Sequence, residues 1–328
     1  MNRKSFRGFR CTGLVMALLA LTLLAWSILS PAVASAARRY PFITVGTASA
    51  AGAYYPLGVA MADIWNRTIP GIVFSARETG GGVANMNLIV AGEAEVGIAN
   101  ENIAYDALKG NPPFNRPLKI AGGWVLNQSQ GLFIALRSSG IESVEDLKGK
   151  RISFGAPGSA GTVLGEIILA AHGLTRQDYT PVYLGWQESA DALSDGLIDA
   201  AFMVGGQPFP AIESLALRTP INVLRFDAER FRAYSSYPYA TGTIPASMYN
   251  LREDGQVVIV RSIVYLDPNL PEDLVYEMVK QIFANIDVLK AAHPTGDQAA
   301  LLSQAEAATI ELPIHPGVVR YAREVGRW

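Results

Sequence analysis

Short apolar runs alternate with stretches of helical periodicity along most of the chain, and this alternation is what most limits its fold. Residues 42–45 are typical of a strand, and Leu57, Met61, Ile64 and Trp65 follow at the i, i+4, i+7, i+8 spacing of a helix face. Strands that alternate with helices pair in parallel, because each helix carries the chain back across the sheet. The sequence therefore predicts the α/β class.

The pattern forms two series. The first ends near residue 108, and the second begins after the apolar run 132–136. Two extended segments, 131–137 and 257–266, are placed to cross between the series, and a long helix is predicted over 272–289. We predict two α/β lobes, each a mainly parallel sheet flanked by helices, joined by a two-strand hinge with a ligand cleft between them. A doubly wound single domain is the alternative.

The predicted boundaries follow from these crossings. They are a signal peptide at 1–36, the first part of lobe I at 37–130, lobe II at 131–254, and the return crossing with the remainder of lobe I and the C-terminal helices at 255–328.

The N-terminus has the features of an export signal. Four basic residues lie within the first ten, an apolar run covers 14–29, and the small-x-small sequence Ala34-Ser35-Ala36 follows. We predict cleavage near Ala37 and a periplasmic protein. An uncleaved anchor is the alternative, since the apolar run approaches the ~17 residues that can span a bilayer.

Charge and composition exclude several classes of partner. The chain has 27 Lys and Arg against 29 Asp and Glu, and without the four basic residues of 1–36 the balance is 23 against 29, or −6. A nucleic-acid partner is therefore not expected. Cys11, the only cysteine, lies in the predicted signal peptide, and three scattered histidines do not form a zinc motif. We expect no metal and no cofactor.

Two loops rich in small residues join strands to helices in equivalent places. Residues 46–56 contain Ser49, Tyr54 and Tyr55, and residues 155–162 contain Ser159. Small residues let the free N–H groups at a helix N-terminus approach an anion closely, although a tight turn alone also explains them. The second loop lacks the Gly-Lys-Ser/Thr ending of a P-loop, and Pro157 stands in place of the first glycine of a Gly-x-Ser-x-Gly elbow. Catalysis is therefore not expected, and hydrolysis through Ser159 is kept as an alternative.

Three further junctions carry amide side chains. Asn85 follows the glycines at 80–82, Asn100 ends an apolar strand, and Gln207 follows Gly205-Gly206. Each alone is typical of a cap or turn. Together they predict a site built of hydrogen-bond donors.

The junctions also carry a resemblance. The segments are "FITVGTASAAGAYYPLGVAMADIWN", "ETGGGVANMNLIVAGEAEVGIANENIAYDA", "DLKGKRISFGAPGSAGTVLGEIILAAHGL", "ESADALSDGLIDAAFMVGGQPFPAIESLA" and "LPIHPGVVRYAREVG". Together they resemble the TAXI family of solute-binding receptors of TRAP-type transporters.

The resemblance implies a type II-like periplasmic binding protein. Such a protein is a monomer that delivers a small organic anion, glutamate-like or a dicarboxylate, to a TRAP-type permease. The ligand-binding residues carried over are Ser49, Tyr54, Tyr55, Asn85, Asn100, Ser159, Gly161, Thr162 and Gln207.

Two departures from the family pattern put the ligand in question. They are the sequence Asn100-Glu101-Asn102 and one extra residue in "GSAGT". A receptor for a sensor kinase and the binding protein of an ATP-driven importer are the alternative functions.

Overall fold

The computed structural model of the chain describes residues 35–37 and 39–328. In this part of the chain ten strands form one sheet. Their bounds are β1 Phe42–Gly46, β2 Val73–Arg77, β3 Val96–Asn100, β4 Ala121–Leu136, β5 Arg151–Ser153, β6 Thr180–Val182, β7 Ala200–Gly205, β8 Ile221–Val223, β9 Ala240–Ile244 and β10 Gly255–Leu266.

The α-helices from Tyr54 onward flank the sheet. They are α1 Tyr54–Thr68, α2 Gly82–Ala91, α3 Glu101–Lys109, α4 Ala160–Ala171, α5 Trp186–Ser194, α6 Pro210–Ala216, α7 Ala228–Tyr234, α8 Glu272–Ala284, α9 Ile286–Ala292, α10 Gln304–Thr309 and α11 Pro316–Glu324. Four 3-10 turns lie at Arg137–Ser139, Val144–Leu147, Ala246–Met248 and Pro294–Gln298.

The sheet consists of two parallel groups joined by two long strands. Across it the order is β2-β1-β3-β10-β4-β7-β5-β6, with β8 beside β4 and β9 beside β10. β1 pairs in parallel with β2 and β3, and β5 with β6 and β7. Between them, β10 and β4 are antiparallel to each other and to their neighbours β3 and β7. The predicted α/β fold class is confirmed. We call the part built on β1–β3 the first half and the part built on β5–β7 the second half.

The central strands contain the segments predicted to cross between lobes. β10, Gly255–Leu266, nearly coincides with 257–266. β4 begins at Ala121, ten residues before the predicted segment 131–137, because residues 121–130 also pair with β10. The residue boundaries of the two lobes stay a prediction.

Each half has its own aromatic core. In the first half, Trp65 of α1 packs on Phe74 of β2 and edge-on against Trp124 of β4, with ring centroids 5.3 and 6.2 Å apart. In the second half, the ring centroid of Phe202 in β7 lies 4.6 Å from that of Phe133 in β4. β4 therefore supplies an aromatic ring to each of the two cores, and both halves pack on this one strand.

Two helix predictions have different outcomes. The four apolar residues predicted to form one face of α1 are all fully buried. The continuous helix predicted over 272–289 is wrong, because α8 ends at Ala284 and α9 begins at Ile286. Asn285 between them has φ −123° and ψ 33°, which is outside the helical range, and its side-chain Nδ2 donates to the carbonyl of Gln281 at 2.9 Å.

The predicted signal peptide at 1–36 lies outside the described residues apart from Ser35 and Ala36. Over 35–37 and 39–328, we find no helix with both the length and the apolar character that a membrane span requires.

An ion pair fixes β10 to α3. Arg261 donates from Nε and Nη2 to Oε2 of Glu101 at 2.7 and 2.6 Å, and its backbone N–H donates to Oε1 at 3.1 Å. The Glu101 side chain is only 9% exposed. Its carboxylate is therefore largely shielded from water and depends on the guanidinium for compensation.

We expect the Glu101→Gln variant to lower the free energy of unfolding by about 2 kcal/mol, because Arg261 would lose the more buried of its two charged partners and keep only Glu306. The matched control is Glu253→Gln, whose pair with Arg225 is mostly solvent-exposed on both sides and should therefore contribute much less to stability. Urea unfolding followed by circular dichroism measures both. Equal losses in the two variants would contradict this assignment.

Candidate ligand-binding site

A cavity lies between the two halves at the carboxyl ends of the parallel strands. Its walls come from the loops after β1, β2 and β3 and from those after β5, β6 and β7. The lining residues are Ala48, Ser49, Gly52, Ala53, Tyr54, Gly80, Gly81, Gly82, Asn100, Ala156, Ser159, Ala160, Gly185, Trp186, Val204, Gly205 and Phe209. This edge is where open α/β sheets bind ligands.

Four helices begin at this cavity. They start at Tyr54, Gly82, Ala160 and Trp186, two in each half. The first N–H groups of a helix have no partner inside it and carry partial positive charge. The lining residues of the described chain include no charged side chain. Helix N-termini therefore supply partial positive charge at the cavity, which favours an anion.

Four of the predicted site residues line the cavity: Ser49, Tyr54, Asn100 and Ser159. The structure thus brings together residues that are widely separated in sequence. Their part in binding a ligand remains a prediction.

Two of these residues belong to a buried network beneath the cavity. The Tyr54 hydroxyl lies 2.8 Å from Ser262 Oγ, and Asn100 Nδ2 donates to that same Oγ at 3.3 Å. Ser129 Oγ lies 2.5 Å from Ser262 Oγ. The network therefore connects α1 and β3 to the two central strands. Burial raises the pKa of Tyr54 to about 12, so its hydroxyl stays protonated at physiological pH.

Asn85 does not reach the cavity. Its Nδ2 donates to the carbonyls of Thr47 and Ile98 at 2.6 and 2.7 Å, and its Oδ1 accepts from Thr79 Oγ1 at 2.7 Å. Both donor hydrogens are used. This fully buried side chain ties the ends of β1 and β3 to α2 and has no donor left for a ligand.

Gly161 and Thr162 lie behind the wall formed by the start of α4. A Cβ at Gly161 would lie 2.4 Å from the carbonyl oxygen of Phe154, so glycine permits the close packing of the helix there. Thr162 Oγ1 donates to the carbonyl of Ser159 at 2.7 Å. Both residues shape the loop and do not line the cavity.

Tyr55 and Gln207 are also outside the lining. Tyr55 is half-buried beside Tyr54, and within the described residues its hydroxyl has no hydrogen-bond partner. The Oε1 of Gln207 accepts a hydrogen bond from the Tyr249 hydroxyl, and this bond turns the amide toward the protein. Of the nine predicted residues, five therefore lie outside the cavity lining.

The sequence analysis did not predict the apolar wall of the cavity. Trp186, Val204 and Phe209 line the cavity, and the rings of Trp186 and Phe209 meet edge-on with centroids 5.7 Å apart. The sequence pattern predicts that this helix begins near Ser189, whereas it begins at Trp186. Glu188, whose Oε2 accepts from the Gly185 N–H at 2.9 Å, is the capping signal that would have placed it correctly.

The two halves touch directly beside the cavity. The Gly158 carbonyl of the second half accepts from the N–H groups of Val83 and Ala84 in the first half, at 3.0 and 3.2 Å. A Cβ at Gly80 would lie 2.1 Å from the Pro157 carbonyl oxygen. The cavity beside these contacts measures about 30 Å³, which is room for two or three waters at ~10–15 Å³ each. A larger ligand therefore requires the halves to move apart.

Comparison with known proteins identifies the family. The NMT1-like family profile matches residues 45–326. The chain belongs to the NMT1-like family.

Solved structures with a similar fold share little sequence with this NMT1-like chain. One is the binding protein component of an ABC phosphonate transporter from Pseudomonas aeruginosa, 15% identical with a TM-score of 0.54, covering 83% of this chain and 85% of that one. Another is PhnD1 from Prochlorococcus marinus in complex with methylphosphonate, 10% identical with a TM-score of 0.53, covering 88% and 99%. At such identities the likeness is one of fold.

These comparisons correct the family predicted from the motifs. The assignment to the TAXI family is wrong, because the matching family is the NMT1-like one and the similar structures include an ABC-transporter binding protein. The expected TRAP-type permease and the glutamate-like or dicarboxylate ligand are wrong with it. The physical reason is that the quoted motifs are mainly glycine-rich junctions where helices begin at the cleft. The fold requires such junctions whatever transporter the protein serves.

The adjacent tyrosines of the NMT1-like chain give a matched test of the buried network. We expect Tyr54→Phe to lower the free energy of unfolding by about 1–2 kcal/mol, because Ser262 would lose a buried hydrogen-bond partner. Tyr55→Phe should have almost no effect. Thermal and urea unfolding measure both, and a larger loss for Tyr55→Phe would show that the network is assigned to the wrong tyrosine.

The contact between the halves gives a second test. We expect Gly80→Ala to hold them apart, since its Cβ would overlap the Pro157 carbonyl. Nitroxides at Val73→Cys and Leu217→Cys, both solvent-exposed and in opposite halves, with Cys11 replaced by Ser, would report a longer distance by pulsed electron resonance.

The control is Gly185→Ala, whose Cβ would meet only Glu188 of its own half. An unchanged distance in Gly80→Ala would show that the glycine is not needed for closure.

Proposed function

We propose that this NMT1-like protein is the extracytoplasmic solute-binding protein of an ABC importer. Its ligand is a small molecule with an oxyanion group, such as a phosphonate or a sulfonate. The observation that carries the proposal is the convergence of helix N-termini from both halves, those of α1 and α4 among them, on a cavity lined by no charged side chain of the described residues. Closure of the halves around the ligand gives the permease a distinct shape to bind.

The hydrogen-bond donors of the cavity can supply the binding free energy that this role requires. A micromolar dissociation constant corresponds to about −8 kcal/mol. Each hydrogen bond to a charged group contributes ~1.5–3 kcal/mol. The first N–H groups of α1 and α4 together with polar side chains such as Asn100 supply several donors, which suffice once the ordering costs of binding are subtracted.

The similar structures support the importer class. One is described as a component of an ABC phosphonate transporter, and another was solved with methylphosphonate, itself a small oxyanion. The predicted signal peptide at 1–36 supports a location outside the cytoplasm.

The hydrogen bonds of Ser159 support binding rather than hydrolysis. Its Oγ donates to the Phe154 carbonyl at 2.9 Å. The described residues place all three histidines in hydrogen bonds elsewhere: His172 with Ile168 and Asp227, His293 with Thr295, and His315 with Leu270 and Gly317. Ser159 therefore has no histidine base at hydrogen-bond distance.

Calorimetry with a small panel tests the proposal. We expect methylphosphonate or methanesulfonate to bind with a micromolar dissociation constant and to raise the melting temperature. Glucose and choline, which are neutral and cationic, should not bind. Binding of only those two compounds would refute the oxyanion class.

A variant links binding to the cavity. We expect Ala160→Asp to weaken oxyanion binding at least a hundredfold, because a carboxylate at the start of α4 would repel the ligand. Gln304→Asp places the same charge at the start of the exposed helix α10 and should leave binding unchanged. Melting temperatures of both variants confirm that they fold. Equal effects on binding would argue against this cavity as the site.

A further inference from the structure

The position of Trp186 depends on glycines in its own half. A Cβ at Gly155 would lie 2.3 Å from the indole Cη2, and one at Gly161 would lie 3.2 Å from the same atom. The ring is almost fully buried and packs edge-on against Phe209. The two glycines leave the space in which the six-membered ring lies.

The other edge of the indole faces the first half. Its Cδ1 and Nε1 lie 3.4 and 3.6 Å from the position of a Cβ at Gly52. Gly52 and Trp186 both line the cavity. The indole therefore spans the gap between the halves, with its N–H at the cavity edge.

The N–H of this indole has no acceptor among the described residues, whereas the Trp65 Nε1 donates to the Met278 carbonyl at 2.9 Å. The Trp124 Nε1 is buried without an acceptor, whereas the Trp186 Nε1 keeps contact with solvent, although its ring is almost fully buried. A cavity-lining donor that the protein leaves unpaired is suited to a ligand oxygen.

We propose that Trp186 is the specificity-determining residue of the cleft. Its Nε1–H donates to an oxygen of the head group, and its ring, with Val204 and Phe209, contacts the alkyl group of the ligand. This inference rests on the function proposed above and narrows its ligand class to alkylated oxyanions. Inorganic phosphate is disfavoured, because one of its four oxygens would face the apolar wall without a donor.

Dissociation constants for methylphosphonate and inorganic phosphate test this role. We expect the wild-type protein to prefer methylphosphonate. Trp186→Phe keeps an aromatic wall and loses the N–H, so methylphosphonate should bind about tenfold or more weakly. Trp186→Ala removes the wall as well and should reduce the preference over phosphate. Trp124→Phe is the control, since Trp124 is a fully buried tryptophan of the first half's core and also lacks an acceptor in the described residues.

Each outcome has one meaning. Wild-type affinity for methylphosphonate in Trp186→Phe, an unchanged ligand preference in Trp186→Ala, or equal binding of both ligands by the wild type would overturn the role of Trp186. In those cases the proposed function stands. Failure of the wild type to bind any oxyanion would instead overturn the proposed function itself. A loss in Trp124→Phe equal to that in Trp186→Phe would assign the effect to stability and reject the inference.

Discussion

The antiparallel pair of β4 and β10 is the constraint on which the rest of the structure depends. Each parallel group of strands has helix N-termini at only one edge, and a ligand can be enclosed only if the two edges face each other. The two long strands lie between the groups in the sheet and fix this relation. Ser262 of β10 bonds to Tyr54 and Ser129 below the cavity, so the site is anchored on the same strands that join the halves.

Glycine on both sides of the cleft makes close approach possible. Gly80 and Gly52 in the first half face Pro157 and Trp186 in the second, at distances that leave little or no room for larger side chains. Closure is therefore achieved by backbone and ring contacts rather than by ion pairs. Such contacts require no charged side chain in the cavity lining, where the helix N-termini supply partial positive charge.

The sequence was sufficient for the fold class and for part of the site, for a physical reason. Hydrophobic periodicity depends on local geometry, and strand-to-helix junctions in an α/β fold gather at one edge, so Ser49 and Ser159 could be placed at the cavity. Whether a side-chain amide can bind a ligand depends on partners that are distant in sequence. The Nδ2 of Asn85 donates both of its hydrogens to the carbonyls of Thr47 and Ile98. Trp186 was missed because an aromatic residue beside a strand is typical of a core. The hydrophobic pattern of the sequence does not distinguish an aromatic residue packed in the core from one that lines a cavity.

A cavity whose polarity comes from backbone N–H groups differs from one built on arginine or lysine. The donors need no side-chain ordering when the ligand enters, which lowers the entropic cost of binding. They also do not titrate. Tyr54 is the only ionisable side chain among the lining residues of the described chain, and its pKa of about 12 keeps it neutral. For the proposed ligand, we therefore expect any pH dependence of binding in the physiological range to come mainly from the ionisation of the ligand, since the lining groups keep one protonation state.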